Sequence, residues 1–393
     1  MNKDILNTGI QNFIHKNLST DIVSVITQNR QFPTVSQKEL ASQIEAKKKS
    51  EHKLPTWFNS PQIYYPEKLS IEQTSSEKTA RYKASLVAGK TMLDMTGGFG
   101  VDTYFFSSRF QVVQHCEKNP ELSAIAEHNH AILNGGEAIF HAEDALAVLK
   151  NSTKNWDWIY LDPARRKDHV GKVFLFQDCE PNVLEILPVL FEKTENVLIK
   201  AAPLLDITKA KNDLNYLKEI HIVAVRNEVK EVLYLLKKEY EGSVNYKTIN
   251  LGQPQNESFD FNLAEETNAV SQFGPPEAYL YEPNRAILKS GAFKAIGNAF
   301  GLKKLHEHTH LYSTEELIAF PGRRFSILSQ APFKPKVLKK KLAKTQANVI
   351  AKNFPWTVAQ IRKRLGIKDG GDTYLFFVKT MHEELTVLIC DRI

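Results

Sequence analysis

Four carboxylates and one glycine turn hold the chemistry this sequence could do. Asp94 closes a short apolar run and is followed by Thr96, Gly97, Gly98 and Gly100, while Glu117, Asp144 and Asp162 end or follow later runs of the same kind. Glycine reaches positive φ and lets backbone approach a ligand closely, so an apolar strand, a Gly turn and a helix start make a nucleotide-sized socket. Carboxylates suit a ligand that is cationic or rich in donors. Glu117 could accept both hydrogen bonds of a ribose diol, and an acid such as Asp144 could accept from an adenine amine. A pyrophosphate would call instead for a helix N-terminus and basic help. The dinucleotide spacing G-x-G-x-x-G is met only by Gly98 and Gly100, because its third position is Thr103.

These residues need a sheet to position them. Short apolar runs predict strands at 91–95, 111–117, 137–141, 156–162, 195–200, 220–226 and 230–237, with helical patterns between the first six. Asn119-Pro120 is an N-cap and first-turn pair that starts a helix after the second strand. Crossover helices imply parallel pairing, and the short Asn227-Glu-Val connection forces the last two strands antiparallel. The expected fold class is α/β, a Rossmann-like seven-stranded sheet of the methyltransferase type rather than a dehydrogenase domain. Ligands of open α/β sheets bind beyond the carboxyl ends of the strands, where all four acids fall. S-adenosylmethionine gives that arrangement a chemical reason, since its sulfonium is cationic and it carries no phosphate.

The bulk properties set bounds. The chain has 393 residues, 42% hydrophobic and 24% charged, with no apolar run of membrane-spanning length. Cys116, Cys179 and Cys390 lack metal or disulfide spacing, and the polar opening Met1-Asn-Lys-Asp-Ile is unlike a secretory signal, so a reducing, cytoplasmic setting is expected. Eleven Lys/Arg and no acid lie between Lys334 and Lys368, leaving −5 on the rest of a chain whose net charge is +6. Positive charge confined to one end suggests a polyanion-binding module on a near-neutral body.

The expected domains are a helical region at 1–85, the α/β domain at 86–240 and two small α+β domains at 241–323 and 324–393. In the first, Ile10, Phe13 and Ile14 share a helix face, Ile22, Val23, Val25 and Ile26 form a second apolar stripe, and Lys47–Lys53 reads as a solvated helix end before Pro55, Pro61 and Pro66. Trp57, Tyr64 and Tyr65 are expected to pack. The helix of Ser75–Lys83 reads as a surface element or a lining of the cofactor mouth. Beyond Tyr240, Glu241-Gly-Ser and the polar stretch 251–258 look like linker and loop. Strands are expected at 278–281, from Arg324, at 373–378 and at 385–389, with Asn284 capping a helix and a further helix through Leu317-Ile-Ala-Phe320. His306, His308 and His310 alternate, but no further ligand signal accompanies them, so surface histidines and no metal are expected. One helix after Lys334 turns Leu338, Leu342 and Val349 inward and sets Lys336, Lys340 and Lys344 on one outer face. In the next, capped by Thr357 and Gln360, Arg362, Lys363 and Arg364 point outward. Lys336, Lys340, Lys344, Arg362 and Arg364 are the candidate RNA contacts.

Asp94–Gly100, Glu117-Lys-Asn-Pro120, Asp144 and Asp162-Pro-Ala-Arg165 resemble the motifs of class I methyltransferases. With Ser75–Tyr82, Asn227–Glu231, Tyr281-Glu-Pro-Asn284 and Phe320-Pro-Gly-Arg323, nearly the whole chain resembles bacterial methyltransferases that carry a THUMP-like domain. The resemblance implies an S-adenosylmethionine-dependent core, a ferredoxin-like domain and a C-terminal domain similar to the RNA-binding THUMP module. It implies cofactor contacts at Asp94, Thr96, Gly97, Gly98, Gly100, Glu117, Asp144 and Asp162, and catalytic roles for Asp162, Pro163 and Arg165. Amine-methylating enzymes carry Asp/Asn-Pro-Pro-Tyr/Phe, and Ala164 and Arg165 depart from that pattern, although a guanidinium plane can stack on a base. Carbon methylation of pyrimidines needs a thiolate that the fifth strand's end, Leu198–Pro203, does not offer, and Cys179 falls in an expected helix. The leading expectation is methylation of a base in structured RNA, tRNA or rRNA, more readily at nitrogen, with Arg165, Arg166 and Lys167 either meeting substrate phosphate or forming a solvated loop cluster. A protein or metabolite methyltransferase and a non-catalytic RNA-binding scaffold remain open.

Overall fold

All seven expected runs form strands of one sheet. In a computed structural model, which describes residues 1–28, 32–165, 175–252 and 255–393, they are β1 Gly89–Asp94, β2 Phe110–Cys116, β3 Ala138–His141, β4 Trp158–Leu161, β5 Asn196–Ala201, β6 Leu217–Val225 and β7 Glu228–Lys237. Two more follow, β8 Asn245–Leu251 and β9 Glu257–Asn262, and the order across the sheet is β3-β2-β1-β4-β5-β7-β6-β8-β9. Neighbours from β3 to β5 pair in parallel and β7 runs antiparallel to β5. The central strands β4 and β5 are mostly apolar and buried, as strands covered on both faces require, whereas β3 at the sheet's edge leaves Ile139 exposed. Asp94 is in register with His115 on β2 and Tyr160 on β4, so the carboxyl ends of the three strands align.

The chain divides into two compact units, Met1–Lys218 with Glu231–Glu241, and Glu219–Lys230 with Gly242–Ile393. In the first, residues 1–85 are helical as expected, and Ile10, Ile14, Trp57, Tyr64 and Tyr65 are buried. Three details differ. Val23 is 61% exposed. Lys47 is buried, its ammonium over the Phe58 ring, instead of solvated. Pro55 begins a short helix, Pro55–Asn59, at the first-turn position where its missing N–H costs nothing. Helix α1, Glu77–Ser85, precedes β1; α2, Val101–Phe106, follows the glycine turn; α3, Pro120–Ile132, and α4, Ala145–Asn151, follow β2 and β3. Asn119 caps α3 with its side chain on the N–H groups of Glu121 and Leu122, as expected of an Asn-Pro start.

In the second unit, the expected linker at Glu241-Gly-Ser243 and loop at 251–258 flank two strands without a sequence expectation, β8 and β9, which overlap the loop only at its ends. Their facing residues pair antiparallel from Asn245↔Asn262 to Asn250↔Glu257, and a polar alternation hid them. The turn before β7 is Arg226–Asn227, both at positive φ (52° and 62°), the two-residue geometry that suits a twisted hairpin. A second sheet holds β10 Tyr279–Pro283, β11 Lys303–His306, β12 Thr309–Thr314, β13 Gly322–Pro332, β14 Asn348–Lys352, β15 Thr373–Lys379 and β16 Leu385–Arg392, in the order β11-β12-β10-β13-β16-β15-β14. Asn284 caps the helix Arg285–Ser290 as expected.

Four expectations fail here. Residues 317–320 are not helical: the Ile318 N–H donates to the Tyr281 hydroxyl, which donates to Glu316 C=O, and Pro321 disfavours helix before it. Helix α5, Pro335–Leu342, ends before Lys344, which sits at positive φ with its N–H on Gly366 C=O. Val349 belongs to β14, parallel to β15, with α6, Val358–Leu365, as the crossover. The three histidines do not alternate along one strand, since β11 turns back into β12 after His306. His306 is buried, with Nε2–H on Glu383 at 2.6 Å and Nδ1 accepting from the His308 and Asn353 N–H groups, while His310 stacks on Phe293.

Candidate active site

The glycine turn is shaped by what lies beneath it. A Cβ on Gly97 would stand 2.2 Å from the His115 ring, so no other residue fits without moving that ring. Gly98 and Gly100 take positive φ (53° and 80°), and Gly100 caps α2. The buried His115 ring places Nε2 3.3 Å from Gly98 C=O and packs on Phe140, and burial pushes its pKa down to about 4, so it is neutral. Glu117 holds the turn from the side: Oε2 accepts from the Gly98 N–H (3.1 Å) and Oε1 from the Asn119 N–H (2.8 Å). A carboxylate has about four acceptor sites, so Glu117 keeps capacity for a ligand diol. Thr96 ties the turn to β4, its Oγ1 accepting from the Asp162 N–H at 2.7 Å while its own N–H donates to Asp94.

Behind the turn lies a cluster of charge. Asp94 is fully buried and accepts from the Thr103 hydroxyl (2.7 Å) as well as from Thr96. Asp102, on the first turn of α2, accepts from the Tyr160 and Ser75 hydroxyls, each at 2.8 Å, and lies 3.2 Å from the Lys83 ammonium. Lys83 is wholly buried and also binds both oxygens of Glu231 on β7, at 2.9 and 3.0 Å. Lys200 of β5 is ion-paired with Asp162. Burial disfavours charge on Asp102, but Lys83 and Lys200 outweigh it and hold its carboxyl below the usual range. Burial likewise opposes charge on Lys200, and Asp162, Asp102 and Glu231 outweigh it, so its pKa is raised.

The expected residues are therefore only partly together. Asp94, Thr96, Gly97, Gly98, Gly100, Glu117 and Asp162 form one hydrogen-bonded assembly at the carboxyl ends of β1, β2 and β4. Asp144 is instead the N-cap of α4, with Oδ1 on the Leu146 N–H (2.8 Å) and Oδ2 3.1 Å from Lys118. Pro163 is buried, and the backbone of Arg165 pairs with Cys179 in a two-residue strand, not the expected helix. Arg166 and Lys167 lie outside the described residues. Asp102, Tyr160, Lys200 and His115 carry no sequence expectation, and Lys83 and Glu231 carry one only as members of the stretches Ser75–Lys83 and Asn227–Glu231. A lysine inside the apolar run Leu198-Ile-Lys-Ala201 was the signal available for Lys200.

The basic segment of the second unit presents α5 and α6 over a core of Leu338, Leu342, Ile361 and Leu365. Lys336, Lys340, Lys344 and Arg364 are exposed, and the Arg364 guanidinium lies 4.3 Å from the centre of the Trp356 indole. Arg362 is not among them. It is largely buried and paired with Asp369 at 2.5 Å. Lys352 is likewise committed to Glu282, 2.9 Å away.

Comparison with known proteins comes to the same architecture. Residues 279–321 match a family described as a ferredoxin-like domain, and residues 322–392 one described as THUMP domain-like. Curated protein sequences give no match. Among solved structures, an rRNA methylase from Streptococcus thermophilus covers 41% of this chain and 93% of its own at 13% identity and a TM-score of 0.31. A "putative methyltransferase" from Streptococcus mutans, in complex with SAH, covers 41% and 96% at 13% identity and a TM-score of 0.30. The crystal structure of a "putative methyltransferase from Porphyromonas gingivalis W83" matches at a TM-score of 0.90 and 30% identity, covering 99% of this chain and 98% of its own. With that identity over essentially the whole of both chains, the protein belongs to the family of the Porphyromonas gingivalis methyltransferase.

Proposed function

We propose that this protein transfers a methyl group from S-adenosylmethionine to a base of a structured RNA, a tRNA or rRNA, with nitrogen as the acceptor atom. The observation that carries the reading is the bonded assembly of the glycine turn with Glu117 and, through Thr96, with Asp162. The residues fit the donor. Gly98, where an added Cβ would meet nothing nearer than the Thr96 C=O at 3.9 Å, leaves backbone open to close approach, Glu117 retains acceptor sites for a ribose, and the acids outnumber the lysines where a cation would be favoured. When bound, the donor supplies an electrophilic methyl group on a sulfonium. The chain's contribution is positioning: Thr96 and Lys200 fix Asp162 from its backbone and its carboxylate, so the start of the Asp-Pro-Ala-Arg motif is held still against the turn.

The exposed cations Lys336, Lys340, Lys344 and Arg364, with Trp356 beneath the last, support phosphate-directed RNA binding, and Asp162, Pro163 and Arg165 are the residues proposed to meet the base. The compartment proposed is the cytoplasm, in keeping with three buried cysteines and no disulfide among the described residues. No helix among the described residues is long and apolar enough to cross a membrane.

Calorimetry with S-adenosylmethionine tests the donor. Glu117→Ala should weaken binding by about 1.5–3 kcal/mol, roughly ten- to hundredfold, from lost charge-assisted hydrogen bonds. Unchanged affinity removes Glu117 from the site. Mass spectrometry of nucleosides from cells with and without the gene tests the acceptor. A missing methylated nucleoside is expected, and an unchanged profile points to a protein or metabolite.

A further inference from the structure

The buried cluster does not balance its charges. Four carboxylates, on Asp94, Asp102, Asp162 and Glu231, meet two ammonium groups, on Lys83 and Lys200. Lys83 serves Asp102 and Glu231, and Lys200 serves Asp162. Asp94 is left with uncharged donors, the Thr103 hydroxyl and the Thr96 N–H, at 0% exposure.

Five of the other groups around it are fixed in charge near neutrality. Across the sheet on β2, His115 has its pKa lowered to about 4 by burial and is neutral, and the Cys116 thiol is pushed up by burial and stays protonated. On β4, burial raises the Tyr160 phenol well above its usual value, and on α2 Asp102 is held ionised. On β5, Lys200 is held charged. Asp162 after β4, Lys83 of α1 and Glu231 of β7 are bound in the ion pairs above. Asp94 differs from all of these. Burial, reinforced by Asp102 and Asp162 against the Thr103 and Thr96 hydrogen bonds, pushes its carboxyl up to about 7.

We propose that Asp94 makes the site read the charge of its ligand: a sulfonium drives the proton of Asp94 into solvent on binding, whereas the uncharged thioether left after methyl transfer binds with Asp94 still protonated. The proposal rests on the donor assigned above. It gives the protein a means of preferring donor to spent product although the two differ by one methyl group and one charge. The binding balance is simple. One cation enters, one proton leaves, and the cluster's net charge is unchanged.

The sign follows from linkage. A ligand that expels a proton binds more tightly as pH rises through the pKa of the free site. The affinity ratio of S-adenosylmethionine to S-adenosylhomocysteine should therefore rise about tenfold between about pH 6 and pH 8, with about half a proton released per donor bound near pH 7. Taking the ratio cancels the amino and carboxyl groups that the two ligands share.

Calorimetry on the wild-type protein, in phosphate and in Tris, reads both quantities. The proposal expects a buffer-dependent binding heat for the donor, none of the same size for the thioether, and a rising ratio. In Asp94→Asn the ratio should become flat with pH. Should that variant not fold, the wild-type ratio decides alone. A ratio constant within twofold, with equal buffer dependence for both ligands, overturns the proposal and leaves the donor assignment standing. Failure of either ligand to bind overturns both.

Discussion

Replacing Lys83 by methionine tests whether the buried charges hold the methyltransferase unit together. Methionine keeps most of the apolar stem and removes the ammonium, so packing changes little while Asp102 and Glu231 lose their shared cation. Glu231 is buried with both oxygens on Lys83, and the Asp102 side chain is 11% exposed. Asp102 would keep the Ser75 and Tyr160 hydroxyls on Oδ2, which do not neutralise it, while Oδ1 would lose the ammonium beside it. Removing one partner of a buried pair costs about 3–5 kcal/mol, because the remaining charge stays desolvated. For a unit of this size each kcal/mol moves Tm by roughly 2–4 °C, so a fall of about 6–20 °C is expected in a calorimetric scan. The pH dependence makes the test specific. In the variant the two acids lose the ammonium that favours their charged forms, and a carboxylate stripped of its cation destabilises the fold more as pH rises. The deficit against wild type should therefore be larger at about pH 8 than at about pH 5. Adding Glu231→Gln to Lys83→Met should recover part of the loss, a coupling of about 0.5–3 kcal/mol. A deficit under about 1 kcal/mol, or one that does not change with pH, would refute the idea that these charges are desolvated and mutually dependent.

Gly97→Ala should cost about 1–3 kcal/mol by overpacking against His115 and should weaken donor binding, and the penalty should shrink in a His115→Ala background. Calorimetric scans of the two single variants and the double variant check this. Reversing Lys340, Lys344 and Arg364 to glutamate should weaken RNA binding and flatten the dependence of log affinity on log salt by about 2–3, measured by filter binding. An unmoved slope would leave that face merely solvated. Arg362→Gln should lower stability more than it lowers RNA affinity, because this side chain is engaged with Asp369.

What the sequence revealed was local in origin. The seven strands, the Asn119 cap, the hairpin into β7 and the positions of Glu117 and Asp162 at strand ends follow from apolar runs, glycine and Asn-Pro signals a few residues long. What stayed hidden depended on distant partners. Lys83 sits in a helix whose own sequence reads as exposed, and its burial is set by Glu231, 148 residues away. Residues 317–320 read as helix until Tyr281, 37 residues earlier than Ile318, takes up their backbone groups. Val349 looked like the inner face of a long basic helix, and pairing with β15 turned it into a strand. Asp144 shows the converse. Its place after a strand was legible, but the same place also makes it a helix cap, and Lys118 decides how its second oxygen is used.

The seam between the ferredoxin-like and THUMP-like segments falls in the middle of a hydrogen-bonded ladder. Residue 322 opens β13, which pairs with β10 from the first segment along Tyr279–Pro283 and with β16 from the second along Thr386–Arg392. Two regions matched by separate family models thus share one sheet. Severing the chain between 321 and 322 would break the β10–β13 ladder and bare one strand edge on each fragment, β10 on the first and β13 on the second. In the intact chain the basic helix α5 is joined to β10 through β13, the strand that precedes it in the chain.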